Sequence, residues 1–200
     1  MTTIYGMMDS GNCYKPRLLM AKLGRPFKHV EVSSHDGSTR SDAFTAKNPN
    51  AMVPLLEFDD GRLLAESNAM LLHLSEGTRF LPDDAYERAL AYQWLFFEQY
   101  SHEPYIAVAR FIARWLPAGH PRQADLPKLR ERGHQALAVM EQALAQQPFL
   151  APCGYSVADI ALYAYTHEAH VGGIHLDDYP GIRAWIARVD SQPGFVPQVY

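Results

Sequence analysis

Chemistry in this chain is sought first among its nine histidines, its two cysteines and its carboxylates. The densest histidine group is His167, Glu168 and His170. Two histidines three residues apart, with no HExxH pattern and no further spaced ligands, do not make a metal centre, and none is expected. Cys13 and Cys153 are too few and too far apart in sequence to form a disulfide framework. Cys13 does fall in the first turn of a helical pattern, where a thiol pKa can fall. Asp159 follows Ser156 by three residues, an aspartate version of the reciprocal capping box, with Tyr155 and Ile160 at the staple positions. Such caps contribute about 0.5–2 kcal/mol, and Ser156 and Asp159 are read as a folding device. The other candidate is backbone. Asn48-Pro49-Asn50-Ala51-Met52-Val53-Pro54-Leu55-Leu56-Glu57 passes from turn chemistry into a short apolar run. Pro54 opens the run, where a missing N–H is tolerated at an edge or bulge. A cis bond before it would turn the peptide groups of Met52 and Val53 outward, free to pair with something other than the sheet.

The elements that must position these residues follow from the pattern. Thr3–Met7 and Lys28–Val32 read as strands, and Cys13–Leu23 as a helix stopped by Gly24 and Pro26. Residues 33–41 form a polar loop, and one or two helical turns follow over Asp42–Lys47. Val53–Ala65 reads as a hairpin around Asp59-Asp60-Gly61, and Ser67–Ser75 as a helix with Met70, Leu71 and Leu74 inward. After Gly77 no strand is expected. Helical patterns cover Ala85–Ser101, Tyr105–Trp115, Asp125–Gln147, Ser156–Ala169 and Ile182–Val189, and Pro104 either kinks or separates the first two. The fold class is α/β plus all-α: a small domain over residues 1–78 and an all-helical domain over 84–200.

Composition bounds the function. With 48% apolar residues, 20% charged ones and a net charge of -4, the chain has the make-up of a globular protein without an electrostatic footprint for nucleic acid. No apolar run reaches the length of a membrane span, and Thr2-Thr3 runs into a strand without the basic and apolar regions of a secretory signal. A cytoplasmic location is expected.

Ser10-Gly11-Asn12-Cys13, Asn48-Pro49 through Val53-Pro54, Glu66-Ser67 and the box from Ser156 to Asp159, in this order and at these spacings, resemble the cytosolic glutathione transferases. The resemblance spans essentially the whole chain and is to bacterial, serine-type, theta- or nu-like members. It implies a thioredoxin-like N-terminal domain, a homodimer, and glutathione as co-substrate for an apolar electrophile, with no metal. It implies that Val53, flanked by Met52 and Pro54, pairs its backbone with the cysteinyl amide of glutathione, as an added strand pairs with a sheet edge. Glu66 and Ser67 would hold the γ-glutamyl end. The first amides of the Ser67 helix suit a carboxylate and Glu66 an ammonium, while Ser67 could also be a plain N-cap.

The same resemblance implies that Ser10 donates a hydrogen bond to the glutathione sulfur, with Asn12 as a second donor or an orienting group. Lowering a thiol pKa by about two units takes about 2.7 kcal/mol. A charge-assisted hydrogen bond of about 1.5–3 kcal/mol and a helix terminus of about 0.3–1 kcal/mol suffice. Cys13, in the manner of cysteine-type relatives, and Tyr5, in the manner of tyrosine-type ones, are competitors for Ser10. Where many relatives carry a cation before Val-Pro to meet the glycine carboxylate, this chain has Met52, so Arg40, Lys47 or His35 is expected to substitute. Glu98 is either a contact to the γ-glutamyl ammonium across a dimer or a solvated helix charge. The electrophile pocket is expected between the domains, with Met7, Met8, Tyr105, Phe111 and Trp115 as candidate lining. Two further functions stay open: glutathione-dependent disulfide or peroxide reduction, suggested by Asn12 beside Ser10, and a non-enzymatic binding protein of the same fold.

Overall fold

The structure is a computed structural model that describes residues 1–198 of the 200-residue chain. Its contacts divide into two units, Met1–Glu76 joined by residues 193–198, and Gly77–Gln192. The contacts divide between Glu76 and Gly77, and the last described segment, residues 193–198, belongs with the first unit.

The first unit runs β1 (Thr3–Gly6), α1 (Gly11–Lys22), β2 (Lys28–Glu31), α2 (Asp42–Thr45), β3 (Leu55–Glu57), β4 (Leu63–Ala65) and α3 (Ser67–Ser75). The sheet order is β2-β1-β3-β4. β1 pairs in parallel with β2 across the α1 crossover and antiparallel with β3, with Ile4 opposite Leu56. Ile4, Leu18, Leu19, Leu55, Leu56, Met70 and Leu71 are wholly buried or nearly so, and they form the core beneath α1 and α3. The hairpin closes through Phe58 and Arg62, with Gly61 at φ 82, a conformation that suits a residue without Cβ. β3 starts at Leu55, two residues later than the apolar run suggests, and the Val53-Pro54 bond is cis. The loop before α2 is cross-braced: Ser33 N donates to Ser38 Oγ at 2.8 Å and Ser38 Oγ donates back to Ser33 O at 2.9 Å.

The second unit is helical throughout: α4 (Ala85–Phe97), α5 (Glu103–Trp115), α6 (Leu126–Leu144), α7 (Val157–Thr166) and α8 (Pro180–Asp190). Between α4 and α5 the chain neither breaks nor simply kinks. Glu98–His102 forms a π-helical turn in which the Glu103 amide bonds to the Glu98 carbonyl. Pro104 explains it: proline has no amide to give and its ring crowds the preceding turn, and a widened turn relieves both. This turn buries Glu98 and His102 completely, and His102 Nε2 lies 2.8 Å from Thr166 Oγ1. Glu98 is thus neither a solvated helix charge nor a surface group. Helix α6 ends at Leu144 and α7 at Thr166, each short of its sequence pattern, and Asp125 and Ala169 belong to short 3-10 segments instead. Among the described residues no helix is long and apolar enough to cross a membrane.

Candidate functional site

Three segments of the first unit converge. A Cβ built on Gly6, at the end of β1, would lie 2.6 Å from Cys13 Sγ and 3.8 Å from Pro54 Cα. That close approach requires a residue without a side chain and sets the first turn of α1 beside the cis-proline. Across the turn, Ser67 Oγ at the start of α3 donates to Asn12 Oδ1 at 3.3 Å. The Ser10–Cys13, Val53-Pro54 and Glu66-Ser67 elements thus share one edge of the unit.

Ser10 is the N-cap of α1, with extended backbone, and its Oγ accepts the Cys13 amide at 3.4 Å. An oxygen that accepts this amide keeps its own proton for another acceptor. The side chain is half-buried, next to the first amides of α1, which have no helical acceptor of their own. Cys13 and Tyr5 sit in different surroundings from Ser10. Cys13 is wholly buried, and burial pushes its thiol up to about 11, against a smaller downward pull from Ser10. Such a thiol stays protonated at neutral pH. The Tyr5 hydroxyl donates to Glu57 Oε2, and that hydrogen bond raises its pKa.

Glu57 also takes Lys47, whose Nζ lies 2.7 Å from Oε2 and 5.4 Å from the centre of the Tyr5 ring. The hydrogen bond from Lys47 holds the Glu57 carboxyl below its ordinary range. Lys47 therefore has its charge already matched, which weakens it as an anchor for a glycine carboxylate. Arg40 is exposed at the end of the 3-10 turn Ser38–Arg40. The amide nitrogen of His35 donates to Ser33 Oγ at 3.0 Å.

The proline-led segment differs from expectation in one detail. Buried Asn48 donates from Nδ2 to the Met52 carbonyl at 2.7 Å and accepts the Asn50 amide on Oδ1 at 3.2 Å. The Met52 carbonyl is taken up by this turn, and Val53 follows it. Val53 precedes the ladder, which begins at Leu55. The Met52 side chain is 59% exposed.

At the α3 end, Glu66 adopts φ 68 and ψ 112 and makes no capping bond with its side chain. A non-glycine residue there costs on the order of 1–3 kcal/mol, a cost that clusters at ligand sites. Ser67 is the first residue of the helix and not its cap, because its hydroxyl is drawn inward. It accepts Lys15 Nζ at 3.3 Å, and Lys15 also reaches Asn68 Oδ1 at 3.4 Å. Lys15 is completely buried on α1, one turn after Asn12. Sequence reasoning missed it, although the i, i+3 spacing from Asn12 places both on one helical face. The outcome is an ammonium group beneath the N-terminus of α3, where the amides of the first turn already favour an anion.

The other expected residues belong to other elements. Met8 sits in the loop before Ser10, where its carbonyl accepts from the Arg17 guanidinium. Tyr105, Phe111 and Trp115 lie along α5 of the second unit, with arginine guanidinium groups over their rings: Arg132 at 5.1 Å, Arg122 at 5.6 Å and Arg114 at 5.2 Å. His167 Nδ1–H donates to the Tyr163 carbonyl at 2.7 Å, and the ring stacks on that of Tyr163. Asp159 is wholly buried and accepts from Leu150 N, Ser156 N and Trp185 Nε1. Among the described residues no group of three His, Cys, Asp or Glu side chains is placed to hold a metal.

Known proteins share this fold. Residues 4–78 match the family described as glutathione S-transferase, N-terminal domain, and residues 104–188 match glutathione S-transferase, C-terminal domain. A solved glutathione S-transferase from Pseudomonas fluorescens is 50% identical and superposes with a TM-score of 0.97, over 100% of this chain and 99% of that one. The structure of Ure2p in complex with glutathione, at 23% identity and a TM-score of 0.86 over 96% of this chain and 91% of that one, shares the fold. The disulfide-bond oxidoreductase YfcG of Escherichia coli is 26% identical over 91% of this chain and 87% of its own length. The thioredoxin-like sheet unit, the all-helical unit and these matches together mean that the chain belongs to the glutathione S-transferase family.

Proposed function

We propose that the protein is a serine-type glutathione transferase that binds glutathione, stabilises its thiolate and adds it to an apolar electrophile. The observation that carries this reading is the state of the three candidate groups around β1 and α1. Cys13 is buried and protonated, and the Tyr5 hydroxyl is spent on Glu57. Ser10 remains, a half-buried hydroxyl whose hydrogen bond already lowers the pKa of the neighbouring Cys13 sulfur. In this reading the tripeptide lies as an extra strand on the Val53 backbone. Its γ-glutamyl carboxylate sits on the first amides of α3 above Lys15, and its ammonium on Glu66. Ser10 donates to the sulfur, and the α1 amides add to the same field. Asn12, held by Ser67, orients the tripeptide. The thiolate then forms a carbon–sulfur bond as the leaving group departs with its electron pair. Ser10 is a stabiliser and never a nucleophile, so no histidine base is needed. Arg40 is the remaining cation for the glycine carboxylate, since Lys47 is matched by Glu57. Met8 in the first unit and, separately, the Tyr105, Phe111 and Trp115 stripe in the second are the candidate apolar contacts for the electrophile. Exposed Tyr86, Phe96 and Tyr100, along α4 and the π turn, favour a homodimer through that face.

The test is titration of the protein with glutathione by calorimetry, together with the ultraviolet difference spectrum of the bound thiolate across pH. Binding with a thiol pKa about two units below 8.5, and turnover of an aryl halide, are expected. Absence of binding would sink the reading and leave the fold as an assembly module. One observation favours a second reaction: Asn12 beside Ser10 is tied into the same network, and YfcG is a disulfide-bond oxidoreductase. Turnover of a mixed glutathione disulfide with no aryl-halide activity would select that reaction on the same site.

A further inference from the structure

The segment after α8 leaves the helical unit and packs on the first one. Three bonds fix it there. Lys22 Nζ donates to the Pro193 carbonyl at 3.4 Å, and the hydroxyl of Tyr14, itself buried on α1, donates to the Val196 carbonyl. The third bond ends at the reaction site: Gln198 Nε2 donates to the Asp9 carbonyl at 2.7 Å. Gln198 is only 8% exposed, and its Oε1 has no hydrogen-bond partner among the described residues. A side chain with four hydrogen-bonding positions is thus buried for the sake of one short bond, at a carbonyl that no element of secondary structure uses.

That carbonyl belongs to the peptide plane joining Asp9 to Ser10. The plane is rigid, so holding its oxygen also holds the Ser10 nitrogen and Cα. Its other edge is held too, because the Ser10 amide donates to the Met7 carbonyl at 3.3 Å. The preceding carbonyl, of Met8, accepts from Arg17, which is 5% exposed and anchored on α1. The loop from Met7 to Ser10 is therefore clamped from α1 by Arg17 and from the C-terminal segment by Gln198. The direction of the Ser10 Oγ depends on both.

We infer that residues 193–198 are a working strap of the thiol-activating site, and that Gln198 is a positioning residue that aims the Ser10 hydroxyl through the Asp9 carbonyl. The inference rests on the assignment of Ser10 above. Gln198 touches neither glutathione nor electrophile in this account. Its contribution is angular: a charge-assisted hydrogen bond weakens steeply as its donor swings away from the acceptor, whereas the binding strip at Val53, Glu66 and Ser67 is untouched.

The test is Gln198→Met, which keeps the length and loses the donor. The bound-glutathione thiol pKa is expected to rise by about one unit and kcat at neutral pH to fall on the order of tenfold, recovering at high pH where the thiolate forms unaided. The glutathione Kd is expected to stay within about twofold. Loss of Kd, kcat and thermal stability together, with an unshifted thiol pKa, would assign the strap a structural role only and overturn the inference. If Gln198→Met does not fold, Tyr14→Phe reads the same strap one bond further away, and a thiol pKa equal to that of the unsubstituted protein overturns the inference equally. Failure of the unsubstituted protein to bind glutathione refutes the assignment of Ser10 instead. A low thiol pKa that Gln198→Met leaves unmoved refutes the strap alone.

Discussion

Two helices in this chain start from a serine N-cap, α1 at Ser10 and α7 at Ser156, and the structure treats them in opposite ways. At the start of α7, Ser156 and Asp159 are both wholly buried. Asp159 accepts the Ser156 amide at 2.9 Å, the Leu150 amide at 2.9 Å and the Trp185 indole at 2.8 Å, and Ser156 Oγ accepts the Ala158 amide. The carboxylate is surrounded by donors that belong to the fold. At the start of α1, Ser10 makes one long cap bond, Cys13 is sealed away below it, and the neighbouring Asn12, Ser67 and Lys15 contacts run from 3.3 to 3.4 Å. The difference teaches how to tell a folding device from a site. A saturated buried cap spends its hydrogen bonds on stability, while a half-buried cap can turn its hydroxyl to a ligand.

The largest expected effect is on the saturated side. Asp159→Ala strands the Leu150, Ser156 and Trp185 donors in the core and is expected to cost about 3 kcal/mol or more in denaturant unfolding. The comparison fails if the loss is that of a surface cap. The same residue gives a pH signature. Burial pushes its carboxyl from 3.8 up to about 6, against the pull of its donors. Between those two values the folded protein holds a proton that the unfolded chain has released. The contribution to stability is therefore greatest below about 4, falls as pH rises towards 6 and is level above it. Asp159→Asn should flatten that part of the stability profile.

Ser10→Ala is next. It should lower kcat/KM about 10- to 100-fold, the equivalent of one charge-assisted hydrogen bond, with unfolding free energy changed by about 1 kcal/mol or less. A large loss of stability with an unmoved thiol pKa would merge the two helix starts into one class. Lys15→Met separates binding from activation: glutathione affinity should weaken about fivefold, as an ammonium beneath the α3 amides is removed, while the bound thiol keeps its pKa. Calorimetry and the thiolate spectrum decide it. The smallest effect is expected from Cys13→Ala. Conjugation should be unchanged, stability should fall by about 1 kcal/mol, and mass spectrometry of the unsubstituted protein should show no glutathione adduct at Cys13.

The order of elements was legible because alternation and helical spacing act locally, and the Ser156-to-Asp159 box was legible because all its partners except Leu150 and Trp185 are within four residues. Pro104 marked the junction of α4 and α5, but periodicity cannot distinguish a break from the π turn that buries Glu98. The roles of Lys47 and Tyr5 were hidden for another reason. Their partner is Glu57 on β3, and only the pairing of β1 with β3 brings that carboxylate to them.

By itself the sequence determined the α/β-then-helical plan, the turn into Val53-Pro54 and the serine starts of two helices. Each is written in neighbouring residues whose preferences need no distant partner. Tertiary structure decided which groups near β1 and α1 retain free chemistry. Whether Cys13 is a thiolate depends on how deeply Gly6 and Pro54 bury it, and whether Lys15 serves the start of α3 depends on the packing of two helices. Gln198, far away along the chain, meets the Asp9 carbonyl beside Ser10 only in the folded state. Protonation and direction are set by surroundings, and the surroundings exist only after the chain has folded.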